Sequence, residues 1–277
     1  GDHGCAHIVA SLLRVTENGA LRLLRQEREL SLGHEMLLAL SRAMPGGESV
    51  RVSAILRLFE DGRTGIGLQL GQERLYAVRS IPELLTCYSR GQSLELSAKF
   101  TYRPTMMRFS KDDEALLAML MSHIPLKGEE EADAREPLPT DEEASTRPTS
   151  EGRFTLLSGA FLQSVLRFFE TRPFMLMADA LRQSQANIRT VELPLCFSVN
   201  LEGGSVFVTT DGAEGMRLIT PDARYVLCEG KIVRLHSAQA RVCRLLATMG
   251  RAFRFTVDET EETLSTLLPA LSTVGTV

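Results

Sequence analysis

The feature that most constrains the fold is an apolar alternation with a period of two. Val50, Val52, Ala54, Leu56 and Leu58 fall on one side of an extended chain. After an Asp61-Gly62 turn, Ile66, Leu68 and Leu70 repeat the pattern, and after a second turn at residues 71–74 it resumes at Tyr76 and Val78. Successive strand side chains point to opposite sheet faces, so this spacing predicts antiparallel hairpins with one face buried. The other side of the first run holds Arg51, Ser53 and Arg57, but also Ile55 and Phe59. Those two apolar residues predict partial cover on the second face.

Two helices follow, each with a start signal. Ser80 followed by Glu83 forms a capping box, in which the serine accepts the N–H three residues on. Ile81, Leu84, Leu85 and Tyr88 then line one helical face, and Gly91 supplies the positive φ that ends a helix. Strand-like residues run through Lys99, Phe100, Thr101 and Tyr102 until Pro104. Ser110 caps the next helix, with Asp112, Asp113 and Glu114 at its positive end and Leu116, Met119, Leu120 and Ile124 as the buried stripe.

Residues 127–153 break the pattern. They hold nine acids, four bases, three prolines and one large apolar residue, Leu138. Such a segment buries too little surface to offset its ordering entropy, so it reads as an acidic tether. Removing it from the chain's 35 acids and 31 bases leaves 26 against 27. The formal net charge of −4 therefore points to neither a basic nucleic-acid surface nor an acidic one.

Beyond the tether, a helix is expected over Phe161, Leu162, Val165, Leu166, Phe168 and Phe169, then a short buried strand at residues 174–177. Hairpins follow at Leu195 to Val208 and at Tyr225 to Val233, the second turning at Glu229-Gly230. Ser237 opens a helix whose face would be Val242, Leu245, Leu246 and Met249. A last strand holds Phe253, Phe255 and Val257. A final helical pattern with Leu264, Leu267, Leu268 and Leu271 inward is kinked or ended by Pro269. The segments MRFSKDDEALLAML (107–120) and VRLHSAQARVCRLL (233–246) share a strand end, a turn and a helix with matching apolar positions. That echo suggests two similar subdomains. The fold class expected is α+β, antiparallel sheets of hairpins with helices packed on them. Its divisions would be a short N-terminal piece over 1–15, a first subdomain over 16–126, the linker over 127–153 and a second subdomain over 154–277.

Five cysteines, widely spaced in a chain of 277 residues, argue for free thiols in a reducing compartment. Cys87, Cys196, Cys228 and Cys243 sit in strand-like or helical patterns and read as buried structural thiols. No apolar run approaches the roughly 18 residues that span a bilayer, and no secretory signal pattern is present. The chain is read as cytoplasmic, with no membrane partner. Near the N-terminus Arg22, Arg25 and Arg28 recur every third residue and could meet phosphates, although Glu27 and Glu29 among them favour a solvated helix face.

The order L-x-L-G-x-x-x-L-Y-x-V-x-x-I-P-E-L-L from residue 68, then K-F-T-Y-x-P and F-S-x-x-D, resembles the bacterial Swi/Snf-family helicase-associated domain. The resemblance runs from about Val50 onward, strongest over 68–120 and 225–249. It implies an accessory region lying upstream of the ATPase core of a bacterial DNA translocase. The partners implied are that ATPase core, in the same polypeptide, and DNA or a protein. The text C-A-H-I-V-A at residues 5–10 resembles the closing half of a SWIM zinc finger. On that resemblance Cys5 and His7 are the third and fourth zinc ligands, and a Cys-x-Cys half would lie upstream of Gly1. Two ligands leave a tetrahedral site incomplete, so zinc is a cofactor of the longer parent, and an incidental Cys and His is the alternative.

Chemistry of its own is not expected of this chain. No G-x-x-x-x-G-K-[ST], G-x-S-x-G, H-E-x-x-H or C-x-x-C is present and no small-molecule substrate is inferred; the resemblance implies that ATP and magnesium belong to an ATPase core outside this chain. The alternatives are an interaction scaffold and a thiol-dependent hydrolase that would pair His236 with Cys228 or Cys243.

Overall fold

The computed structural model describes residues 47–125, 150–178, 183–212 and 214–277, together with Met36 and Leu40. Cys5, His7, the three N-terminal arginines and the acidic stretch up to residue 149 lie outside the described residues. The class is α+β.

The long strand β1 (Glu48–Leu58) runs antiparallel to β2 (Thr64–Gly71), and the short β3 (Leu75–Ala77) returns along β2. The alternation sends Val50, Ala54, Leu56 and Leu58 inward against Ile66, Leu68 and Leu70. Helix α1 (Ile81–Arg90) begins where Ser80 accepts the Glu83 N–H and ends at Gly91 with φ of 66°. A small hairpin, β4 (Leu94–Ser97) and β5 (Phe100–Tyr102), leads to β6 (Met107–Phe109) and helix α2 (Lys111–Met121), capped by Ser110. Leu116, Leu120 and Ile124 are buried, as is Leu117, while Met119 is half-buried.

Residues 150–186 then complete this same sheet. Strands β7 (Ser150–Glu151) and β8 (Phe154–Leu157) form a hairpin, and β8 pairs with β2. Helix α3 (Gly159–Phe168) crosses over to β9 (Phe174–Met177), which lies parallel to β1, with β10 (Ser184–Ala186) outside it. The sheet order is β10-β9-β1-β2-β8-β7. This sheet thus runs across the expected division at residue 154, and Ser150 and Glu151, placed by the sequence in the linker, are strand. Which sheet a strand joins is a long-range pairing with no local sequence signal.

The second core gathers Leu193, Leu195, Phe197, Val206, Val208, Val226, Leu235, Cys243 and Leu271. It is built by β11 (Arg189–Val191), the hairpin β12 (Cys196–Glu202) and β13 (Ser205–Asp211), the short β14 (Arg217–Leu218), and the hairpin β15 (Tyr225–Cys228) and β16 (Lys231–Leu235). Glu229 and Gly230 both take positive φ at that hairpin's turn, the twist-matched arrangement for a two-residue loop. Helix α4 (Ser237–Met249), strand β17 (Ala252–Phe255), helical turns over 257–267 and helix α5 (Leu268–Ser272) finish the chain. Pro269 stands in the first turn of α5, where its missing N–H is harmless.

Among the described residues three strand pairs are parallel, so the two larger sheets are mixed within an otherwise antiparallel plan. Two expectations are corrected. Helix α4 turns Gln239, Ala240, Cys243 and Leu246 inward and leaves Leu245 and Met249 exposed. Leu264 is exposed as well, while Leu271 is buried.

The two halves repeat one connectivity. A first strand pairs in parallel with the strand that precedes a helix: Val50 lies opposite Phe109, and Val191 opposite Leu235. The first strand continues into a hairpin, β1 with β2 and β12 with β13. After the helix, a third strand adds to that hairpin, β8 on β2 and β17 on β13. A helical segment then returns the chain parallel to the first strand, with Met175 opposite Ile55 and Thr276 opposite Cys196. The residues before the two helices, Ser110 and His236, share φ of −66° with ψ of 158° and 152°. The strand–turn–helix units echoed in sequence therefore run in the same sense.

Candidate functional site

The helices of the first half pack on one face of the large sheet. The opposite face, for which Ile55 and Phe59 predicted partial cover, carries an arginine–aromatic cluster. Ile55, Phe59 and Phe154 are buried there, with Leu156, Met175 and Met177 packed beside them. The floor is made by Gly65 and Gly67. A Cβ at Gly67 would stand 2.9 Å from the Phe154 ring, and one at Gly65 would stand 3.1 Å from Phe59. Only glycine lets both rings lie against the backbone. The rings meet edge to face at 6.3 Å, and the Arg57 guanidinium lies 4.4 Å from the Phe59 centroid and 5.4 Å from that of Phe154. Arg63 and Arg153 approach the same rings from the rim. Asp61 and Glu151 both pair with Arg63, so two carboxylates offset most of the charge of the three arginines and the patch is not a plain basic stripe. Those contacts lower the Asp61 carboxyl below its ordinary range, the Arg63 backbone and side-chain hydrogen bonds being the cause.

A second feature is a cleft of about 400 Å³ on the edge of β1. It is lined by Arg51, Val52, Ser53 and Ala54, by Asp112, Asp113 and Leu116 of α2, and by Phe168, Phe169 and residues 172–175 around and beyond the end of α3. Residues 51–54 are those of β1 left between its pairing with β6, which ends at Val50, and its pairing with β9, which starts at Ile55. Arg172 lies over the Phe168 ring at 4.1 Å and binds Asp112 at 2.8 Å. Arg51 is drawn to the 71–74 turn, donating to the Gln72 carbonyl at 2.6 Å. Asp113 accepts the Val52 N–H at 3.4 Å. Burial, the largest influence, raises its carboxyl above the usual range against the opposing hydrogen bonds. Among the described residues it forms no ion pair.

Neither thiol that the hydrolase alternative would use is a ready nucleophile. Cys243 is fully buried and its thiol is pushed up to about 11 by desolvation; Cys228 is raised for the same reason. Cys87 is buried, but Cys196 is exposed, contrary to the sequence reading, because the alternation of β12 turns it outward while Phe197 turns in. His236 stands at the N-terminus of α4 and makes no side-chain cap bond. Among the described residues no group of three or more His, Cys, Asp or Glu could hold a metal, and no helix is long and apolar enough to cross a membrane.

Residues 153–277 match the family described as bacterial SNF2 helicase associated. The match begins at β8 and takes in the whole second half, fewer than half of the chain's 277 residues. The stretch over 68–120, which carried much of the sequence resemblance, lies outside it. No curated protein matches, and no solved structure matches. Sequence reasoning missed the cleft; its one visible signal was Asp113 standing opposite Gln239 in the two echoed segments.

Proposed function

We propose that the chain is a non-catalytic accessory region of a bacterial Swi/Snf-type ATP-dependent DNA translocase, acting by docking on the ATPase lobes or by presenting DNA or a protein partner to them. The observation that carries this reading is the match of residues 153–277 to the helicase-associated family. The desolvated thiols Cys228 and Cys243 weigh against the hydrolase alternative, since burial raises both and Cys243, at about 11, is protonated at neutral pH. On the same reading Cys5 and His7 close a zinc finger begun upstream, and ATP and magnesium act only in the ATPase core.

The test starts from the native reading frame on both sides. A Cys-x-Cys just upstream and a P-loop downstream support the reading. In that longer protein, deleting residues 48–277 is expected to change the DNA-stimulated ATPase rate. Stop codons close on both sides, or an ATPase rate indifferent to the deletion, would overturn the accessory role.

A further inference from the structure

The two halves leave the same gap in the same strand and fill it differently. In the second half the gap is residues 192–195, between the pairing of Val191 with Leu235 and the bridge of Cys196 with Thr276. Gln239, the third residue of α4, closes it. Its Oε1 accepts the Leu193 N–H at 2.9 Å, and its Nε2 donates to the carbonyls of Leu193 at 2.9 Å and Val274 at 2.8 Å. Gln239 is buried, and this side-chain amide stands in for the missing strand.

In the first half the gap is residues 51–54 and the third residue of α2 is Asp113. By register, Val52 corresponds to Leu193, Ile55 to Cys196 and Met175 to Thr276. Pro173, two before Met175, therefore corresponds to Val274. Asp113 reproduces half of the clamp, accepting the Val52 N–H. It cannot reproduce the other half. A carboxylate has no N–H to offer, and aspartate is one methylene shorter than glutamine. The N–H and C=O of one strand residue face the same edge, so the Val52 carbonyl looks into the cleft beside the Pro173 carbonyl. Where the second half has a glutamine NH2, the first has the cleft of about 400 Å³.

We propose that this cleft binds an alkyl cation bearing several N–H groups, a guanidinium or primary ammonium on an aliphatic stem. The N–H groups would take the place of the Gln239 NH2 between the Val52 and Pro173 carbonyls, with the charge on Asp113. The other charged groups that face the site are already engaged: Arg172 with Asp112 and Phe168, and Arg51 with the carbonyls of Gln72 and Glu73. Leu116, Phe169, Phe174 and Met175 supply apolar wall for the stem. A free amine and the side chain of an arginine or lysine on another polypeptide share this chemistry. The proposal does not depend on the helicase-associated reading.

The experiment is titration of the full chain with butylguanidine, butylamine and butan-1-ol, followed by calorimetry and by two-dimensional NMR of the amides at Val52 and Asp113. The cations are expected to bind at least about ten-fold more tightly than the alcohol, the difference one charge-assisted contact supplies. Asp113→Gln, which installs the second half's clamp, is expected to lower cation affinity by about ten-fold or more while the protein stays folded. Asp113→Asn, which keeps the volume and removes the charge, serves if the glutamine variant does not fold. A capped Gly-Arg-Gly peptide separates the sources: binding as tight as butylguanidine assigns the cleft to a polypeptide side chain, and its exclusion to a free amine. Equal binding of cation and alcohol, no binding of any probe, or cation binding unchanged in both variants would overturn the proposal.

Discussion

Tyr225 donates its hydroxyl to Glu170 across the junction of the two halves. The tyrosine ring is buried on β15 of the second half, and the carboxylate sits just past α3 of the first. The other Glu170 oxygen takes Arg234 of β16 at 2.8 Å. A second polar link, Arg217 Nη1 to the Phe59 carbonyl at 3.0 Å, ties β14 to the end of β1. One carboxylate thus holds two strands of one half against a helix end of the other.

Tyr225→Phe is expected to cost about 1–2 kcal/mol, since it removes one donor to a charged acceptor and leaves Arg234 in place. The effect should depend on pH. Burial first, and then the Glu170 carboxylate, push the Tyr225 hydroxyl up to about 12 from 10.0. A folded-state value above the unfolded one means stability that is fully present below about pH 10 and lost as pH rises through about 12. Urea denaturation of the two proteins should therefore show a constant difference from pH 7 to about 10 and a shrinking one above it. A difference that grows with alkalinity would contradict the assignment.

The third residues of α2 and α4 should differ sharply in structural importance. Gln239→Ala strips the gap at residues 192–195 of three buried hydrogen bonds and is expected to cost about 3 kcal/mol. Asp113→Ala removes the long Val52 contact at 3.4 Å and the carboxylate's hydrogen bonding with Ser110 at the helix cap, all at a half-buried site, and should cost about 1 kcal/mol, well below Gln239→Ala. Thermal and urea midpoints of the two variants check the ordering. Equal costs would mean that the two clamps are not counterparts.

How much of this was legible in the sequence depended on range. The caps at Ser80 and Ser110, the αL stop at Gly91 and the Glu229-Gly230 turn are settled within four or five residues, and each stands where its residue type demands. The inward face of α4 was misread because a buried glutamine is invisible to an apolar pattern, while Leu245 and Met249 look like core and are exposed. The partners of β8 and β9 were not legible at all. Residues 174–177 read as a strand and 154–157 did not, and the pairing of both with β1 and β2 rests on contacts about a hundred residues apart. The cleft lay deeper still, since its meaning comes from comparing Asp113 with Gln239 once both gaps are seen.

Thiol reactivity should follow burial. In a Cys5→Ser background, Cys196 is expected to react first with iodoacetamide at neutral pH and Cys228, partly covered, more slowly. Cys87 and Cys243 should react only as the protein unfolds, because both are buried and desolvation holds the Cys243 thiol at about 11. Peptide mapping at several urea concentrations reads the order directly. Fast labelling of Cys243 in the native protein would reopen the thiol chemistry set aside above.

The glycine floor makes the last test a double one. Gly67→Ala places a methyl 2.9 Å from the Phe154 ring, inside any real contact distance, so the ring must lift from the sheet. Its place under Arg57 and against Phe59 is lost with it. The cost expected is about 1–3 kcal/mol, the usual range for overpacking, despite the stabilisation that alanine normally brings to a strand. Phe154→Ala alone should cost about 3 kcal/mol or more as a buried aromatic is lost. If the clash is the cause, Gly67→Ala made in the Phe154→Ala background should cost nothing further, which gives a coupling energy equal and opposite to the cost of Gly67→Ala alone. Costs that simply add would show that Gly67 is needed for its backbone freedom rather than for the ring above it.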